Sequence, residues 1–592
     1  MTRATRTDSS DIPKTSPIIA YTVAMPQPSS HIFEVKLQVS QWQESILELG
    51  MPVWTPGSYL VREYARHIQY FYASSSQDKT KLLSQKISKN HWIIETGNVN
   101  DITIHYQVYA NELTVRTNHL DKTHGYFNGA ALFYFITGLE KQSITVQIIP
   151  PVTQWKVSTT LPKIPGKINL FQANDYDTLV DSPFEIGTHN IYTFEVLKKS
   201  HQLVIWGHGN IQPISLIRDV KKIIEIEAKL YRELPYDHYL FILHLSGSCF
   251  GGLEHKSSCS LIYPRFGFRA KDKYNRFIQL VAHEFFHLWN AKRIRPKALE
   301  TFDYERENYT KSLWFLEGTT SYYDMIMPLR AGIYDIDSFF EILSNDITQY
   351  LNTPGRKIHS LSESSFDAWI KLYRSDTHSD NVQISYYLKG ELVSLLLDLL
   401  IRSRHNNQRS LDNVMSQMWQ KFGKPEIGFT HQQLQDVIES VAGIQLQNFF
   451  THYLDATEDL PFDDYLEPFG LKLKPILDSE TIPFLGIRIK SENSKEVIKF
   501  VEAGSPAEIG GIDTNDELLA IDGIRVNPNQ LSERLKDYQS GDIISMTVFH
   551  QDQLRTLPVT LAEPQPSRYE VTRIDHPSTS QKQNLMDWLG KE

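Results

Sequence analysis

The segment His283-Glu284-Phe285-Phe286-His287 constrains this chain more than any other. It has the form H-E-x-x-H and lies where Phe277, Ile278, Val281, Phe285 and Leu288 recur at helical spacing. On a helix, residues four apart share one face, a turn apart. Two imidazoles so placed can ligate one tetrahedral Zn²⁺. The carboxylate next to the first histidine then stands beside the ion's open position, where it can draw a proton from water. The pattern therefore predicts a helix packed on a core, with Pro296 marking its end or lying just beyond. The chemistry it encodes is metal-assisted hydrolysis. The plainer alternative is a helix with two ordinary histidines. A catalytic zinc site also needs a third protein ligand, with the fourth position left to water.

Glu317, thirty positions beyond His287, lies in a second helical run, Trp314-Phe315-Leu316-Glu317-Gly318-Thr319-Thr320-Ser321-Tyr322-Tyr323. A Glu followed by Gly and then small and aromatic residues resembles the third-ligand helix of gluzincin metallopeptidases. Further stretches extend the likeness: His283–Asn290, Lys292–Pro296, Trp54-Thr55-Pro56-Gly57-Ser58-Tyr59, Arg62–Arg66 and Gly251-Gly252-Leu253-Glu254-His255. Together they resemble the glycyl aminopeptidase family of gluzincin zinc metallopeptidases, in the expected order and over nearly the whole chain. The resemblance implies one Zn²⁺ per chain, held by His283, His287 and Glu317, with Glu284 as the base.

That family is similar in its catalytic core to aminopeptidase N and leukotriene hydrolase, where a Gly-x-Met-Glu-Asn strand lines the cleft and its Glu binds the free α-amine. Glu254 occupies that place here, so Gly251, Gly252 and Glu254 are the expected substrate-binding residues. A carboxylate beside the metal pairs with an ammonium and limits cleavage to the first peptide bond. The fifth position departs from the pattern, being His255 instead of Asn, which puts the strand's backbone contacts with substrate in question. Support of the metal site is the alternative role for Glu254. Tyr387-Leu388-Lys389-Gly390 matches the Tyr-x-Lys-Gly segment whose Tyr stabilises the oxyanion in this wider group. Tyr386 is the rival, and a core tyrosine is the bland reading.

With 592 residues the chain is too long for one core. Its composition is that of an ordinary globular protein, 41% hydrophobic and 22% charged. A net charge of −10 disfavours a nucleic-acid binder. The local basic run Lys292-Arg293-Ile294-Arg295 reads as a solvated helix end. The longest aliphatic run, Leu392 to Ile401, is interrupted by Ser394 and Asp398 and is too short to span a bilayer. No apolar h-region is evident between Met1 and Pro17. Two cysteines, Cys249 and Cys259, imply no disulfide framework, and reduced thiols in a cytoplasmic protein are the simpler reading.

The expected architecture is multidomain α+β. Residues 1–16 read as a disordered tail. Residues 17–208 form an antiparallel β-sandwich-like domain, on the strength of alternation in Phe33–Val39 and Ile102–Val108. A thermolysin/gluzincin-like catalytic domain follows at 209–330. Its apolar run Tyr239–Leu245 reads as a strand able to offer a backbone edge to an extended peptide. Residues 331–477 are helical, with a loop around 362–381 and a capping box at Thr430–Gln433 opening a helix that stops near Gly443. Residues 478–563 resemble a PDZ domain: Phe484-Leu485-Gly486-Ile487 stands where such a domain has its carboxylate-binding loop, and Ala503–Ala507, Gly510–Ile512 and Leu518–Gly523 match later signatures. Its groove implies a peptide or protein C-terminus as partner, with an internal brace as the alternative. Residues 564–592 read as a mobile polar tail.

The expected function is a zinc aminopeptidase acting on peptides, with Gly or Ala preference implied by the resemblance alone. An endopeptidase of the same chemistry and a catalytically silent PDZ scaffold are the rivals. Oligomeric state is left open.

Overall fold

Alternation in the first strands becomes burial. Phe33, Val35, Leu37 and Val39 are at most 2% exposed and face Val108, Tyr106, Ile104 and Ile102 across an antiparallel pair. The computed structural model describes residues 16–477 and 482–590. The expected N-terminal tail, except its last residue, and the expected start of the PDZ region at 478 lie outside the described residues. A seven-stranded sheet and two four-stranded sheets close on one apolar core in the N-terminal region. One pairing departs from the antiparallel expectation, because Ile18–Ala24 runs parallel to Ile144–Ile149.

The boundary expected at 208 falls too late. Asn190–Val196 and Lys199–Trp206 form a hairpin whose second strand pairs in parallel with His238–Ser246. The helix Pro213–Tyr231 makes the crossover between these two strands. The hairpin therefore belongs to the catalytic five-stranded sheet. A hairpin's alternation is the same whichever sheet it joins, so local pattern does not assign it. His238–Ser246 also proves central, flanked by Lys199–Trp206 and Ser258–Pro264. Its continuous apolar character reflects burial on both faces. The edges of this sheet are Asn190–Val196 and Gly251–Glu254 instead, and the latter lies beside the zinc-motif helix.

Helices Lys271–Phe286, Thr319–Arg330, Ile336–Leu351 and Tyr386–Arg404 build the body beside that sheet. The N-terminal region feeds into it. Val53, Trp54 and Tyr59 belong to its core, and the Trp54 indole N–H donates to the Asp303 carbonyl at 2.7 Å. The expected loop at 362–381 contains the short helical turns Leu361–Phe366, Asp367–Trp369, Leu372–Arg374 and Ser379–Val382. The capping box forms as expected, and its helix His431–Ala442 ends on Gly443 at φ 70°. The basic run is not a solvated patch. Lys292 and Arg293 are buried: Lys292 meets Asp181 at 2.6 Å, and the Arg293 guanidinium donates to the carbonyls of Leu288, Lys256 and Pro235.

Beyond 481, strands between Ile487 and Thr560 form a separate sheet with its own core and the helix Pro528–Leu535. It docks on the catalytic body through Asn381, which donates to the Val501 carbonyl at 2.9 Å and accepts from the Ala503 amide at 3.0 Å.

The expected polar tail is ordered structure. Arg568–Arg573 pairs antiparallel with Leu471–Ile476, and Thr579–Leu589 is a helix opened by a Ser578–Gln581 capping box. Trp588 is 2% exposed, packs against Phe339 and Phe469, and donates its indole N–H to the Tyr322 hydroxyl at 3.2 Å. Polar composition masked an anchoring stripe of few residues. Trp588→Ala is expected to cost about 3–5 kcal/mol, read as a lowered denaturation midpoint of the catalytic body. An unchanged midpoint would show the helix to be dispensable. Among the described residues no helix is long and apolar enough to cross a membrane.

Candidate active site

Phe277, Ile278, Val281 and Phe285 are buried along one side of the helix Lys271–Phe286, and this packing fixes its rotation. The helix ends ten residues before Pro296. His287 is its C-cap and keeps helical angles (φ −60°, ψ −19°), so both histidines stay on one face. Their outer nitrogens are held. His287 Nδ1 lies 2.9 Å from the Asn290 carbonyl, and the Asn290 amide donates in turn to the carbonyls of Phe315 and Leu316. His283 Nδ1 lies 2.8 Å from Asp324. A carbonyl or carboxylate only accepts, so each neutral ring carries its proton on Nδ1 and turns the Nε2 lone pair inward.

Glu317 meets these lone pairs. One of its oxygens is 3.4 Å from His283 Nε2 and 3.1 Å from His287 Nε2. Zinc bonds of about 2.0–2.1 Å in tetrahedral geometry separate donor atoms by about 3.3 Å. The three buried donors thus already have the spacing and chemistry that suit such an ion. Glu317 sits in a widened π turn, Trp314–Gly318, ahead of Thr319–Arg330; such turns recur at functional sites. Gly318 permits a backbone contact: a Cβ there would lie 2.5 Å from Gly390 Cα. Gly390 closes the Tyr387–Gly390 segment, so this one contact brings Glu317 and Tyr387 into the same cleft.

The cleft, about 900 Å³, is lined by Gly57, Arg116, Glu254, Tyr373 and Tyr387 around the histidines. Gly252 and Glu254 lie two apart on the edge strand and face the same way. A Cβ on Gly252 would fall 2.1 Å from Glu284 Oε1, and one on Gly57 (φ +88°) 2.5 Å from Glu254. Both carboxylates are therefore seated against bare backbone. Gly251, at the strand's start, is half-buried at the rim. His255 turns away, to Asp181 at 3.2 Å. The Tyr387 hydroxyl is 3.1 Å from that of Tyr373, whereas Tyr386 is fully buried and stacks on Tyr387.

Electrostatics favour a cation. Burial alone raises Glu317, but the two imidazoles more than reverse this and hold it at about 2. Burial opposes charge on the histidines, yet Asp324 and Glu317 push His283 up, and Glu317 pushes His287 up. Glu284 is lifted to about 7, by burial first and by Glu254 and Glu317 in addition, against the pull of the imidazoles. Its Oε2 is buried without a hydrogen-bond partner.

Sequence reasoning missed Asp324, Asn290, Arg116, Tyr373 and Gly57's contact with Glu254. Asp324 had a signal, lying two turns beyond Glu317 on the same helical run. Arg116, which donates to the Gly252 carbonyl at 3.1 Å, had none.

Phe484, Leu485, Gly486 and Ile487 lie far along the chain, at the mouth of a second groove. Gly486 (φ +84°) is pressed on Ser505. The groove runs between Ile487–Arg488 and Leu531–Leu535 and is walled on its far side by Arg356 and Lys357. Both cysteines are free thiols.

Comparison with known proteins bears on this geometry. Residues 20–188 match the Peptidase M61 N-terminal domain, and 276–393 match the M61 glycyl aminopeptidase model. No curated protein is matched. The crystal structure of an aminopeptidase N family protein from Idiomarina loihiensis is 31% identical, with 97% of this chain and 100% of that one covered at a TM-score of 0.91. An M1 zinc metallopeptidase from Deinococcus radiodurans is 9% identical over 75% of this chain and 94% of that one, TM-score 0.47. Yeast LTA4 hydrolase in complex with bestatin is 14% identical over 78% and 71%, TM-score 0.44. From the two matched models in order and the full-length likeness at 31% identity, the chain belongs to the M61 peptidase family and is a metallopeptidase.

Proposed function

We propose that the protein is a zinc aminopeptidase that removes N-terminal residues from peptides. The observation that carries this reading is the convergence of His283, His287 and Glu317 with Glu284 and Glu254 in one cleft. The chemistry a Zn²⁺ supplies in such a donor set is polarisation of the scissile carbonyl and acidification of water. The chain's own groups do the rest. Glu284, poised near neutrality, takes a proton from the attacking water and returns it to the leaving amine. The Tyr387 hydroxyl donates to the developing oxyanion, and Tyr373 behind it fixes its direction. Glu254 pairs with the substrate's α-ammonium, and the Gly251–Glu254 edge holds its backbone by strand addition.

A preference for Gly or Ala rests on the family likeness. In the same proposal residues 482–563 act as a PDZ domain. The Phe484–Ile487 loop and the basic side chains Arg356, Lys357 and Arg488 around its groove suit the carboxylate of a peptide or protein C-terminus. The free thiols fit a cytoplasmic setting.

The test is a pair of short peptides differing only in N-terminal acetylation. The free amine is expected to be cleaved at the first bond and the acetylated peptide spared. Equal internal cleavage of both would replace the aminopeptidase with an endopeptidase.

A further inference from the structure

A second gathering of ligand-type side chains lies where the N-terminal sheets meet the catalytic sheet. Glu185 sits at its centre, fully buried. His124 Nδ1 is 3.0 Å from one of its oxygens and His244 Nε2 is 2.9 Å from the other. Trp206 stacks on the His124 ring at 3.7 Å, which fixes its plane. With Nδ1 committed to Glu185, His124 Nε2 is left buried with no hydrogen-bond partner. Beside it, His119 Nε2 lies 3.3 Å from Asp121 Oδ2. His119, Asp121 and His124 each bring a donor atom within 4.8 Å of the others.

We propose that His119, Asp121 and His124 form a second binding site for a zinc-like divalent transition metal, separate from the catalytic cleft. Two imidazoles and one carboxylate select a first-row transition ion over Mg²⁺ or Ca²⁺, which prefer oxygen alone. The His119–Asp121 spacing equals the tetrahedral edge of about 3.3 Å that zinc bonds require. Glu185 does for His124 what Asp324 does for His283: it accepts the hydrogen bond from Nδ1–H and leaves the Nε2 lone pair free. The other oxygen of Asp121 accepts from the Thr123 and His124 amides at 2.7 and 3.1 Å, which holds Oδ2 on the His119 side. The site is reachable, since the Asp121 side chain is 33% exposed and that of His119 12%; solvent supplies the fourth ligand. An ion there pins the turn between His119–Leu120 and His124–Phe127. Through Glu185 and His244 it also clamps the seam between the two sheets.

The experiment uses full-length, chelator-stripped protein titrated with Zn²⁺ alone, with bound metal measured after equilibrium dialysis. Wild type is expected to hold two equivalents and Glu317→Ala one. Adding His119→Ala and Asp121→Asn is expected to remove one equivalent from either background. Zn²⁺ is also expected to raise the melting temperature of Glu317→Ala but not of the triple variant. As a check that needs no second-site variant, Co²⁺ in Glu317→Ala should give the visible absorption of a tetrahedral nitrogen–oxygen site. The proposal is overturned if the His119/Asp121 changes leave the metal count unaltered in both backgrounds, or if Co²⁺ gives no such band. Either result would reduce His119 and Asp121 to an ordinary ion pair.

Discussion

Glu284→Gln is expected to lower kcat by about 10²–10⁴-fold, the range that a positioned general base supplies, while zinc content stays at the wild-type level. The substitution is close to isosteric, which matters here because Gly252 leaves no slack around this side chain. An amide cannot take a proton from water and hand it on. In the proposed mechanism the carboxylate makes that exchange; in the protein alone, burial first, then Glu254 and Glu317, raise it to about 7 against the pull of the two imidazoles. A neighbouring divalent charge draws it toward the ionised form, the form needed to accept the proton. Metal analysis beside steady-state kinetics checks the claim. Turnover within tenfold of wild type would remove Glu284 as the base.

Glu317→Ala is expected to weaken zinc binding in the cleft by more than the 10–100-fold typical of losing an outer hydrogen-bond partner, with peptidase activity lost in parallel. Two effects combine. One of three protein donors disappears, and the two inward-facing lone pairs of His283 and His287 lose the anion that stands 3.4 and 3.1 Å from them. Chelator competition reads the affinity directly. Retention of wild-type affinity at the cleft would exclude Glu317 as a ligand, and the zinc reading of the cleft would fall with it.

Much of this candidate site, as a set of side chains sharing one cleft, was readable because its parts are local. H-E-x-x-H needs only helical spacing, and the buried stripe of Phe277, Ile278, Val281 and Phe285 supplies the helix. Glu317 and Tyr387 were readable through the glycines that follow them, and the Gly318–Gly390 contact gives the physical reason those glycines are there. The groups that orient the ligands were harder. Asn290 orients His287 through its backbone carbonyl, which no side-chain pattern reveals, while its side-chain amide ties that loop to Phe315 and Leu316. Arg116 and Tyr373 reach the cleft from segments with no periodic signal. Fold errors share one cause: period and composition describe a segment's faces, not its partner. The hairpin of 190–206 has the same alternation in either sheet. The terminal helix looks like solvent-facing chain until Trp588 is seen between Phe339 and Phe469.

In the mechanism proposed above, the bare backbone contact between Gly318 and Gly390 couples two roles in one joint. The carboxylate of Glu317 and the phenol of Tyr387 ride on helices that touch without any intervening side chain to absorb a shift. A methyl group added to either glycine displaces both groups together. Cation affinity and oxyanion placement are thus not separately adjustable by inheritance at this joint, and variation that tunes one must be found elsewhere in the cleft.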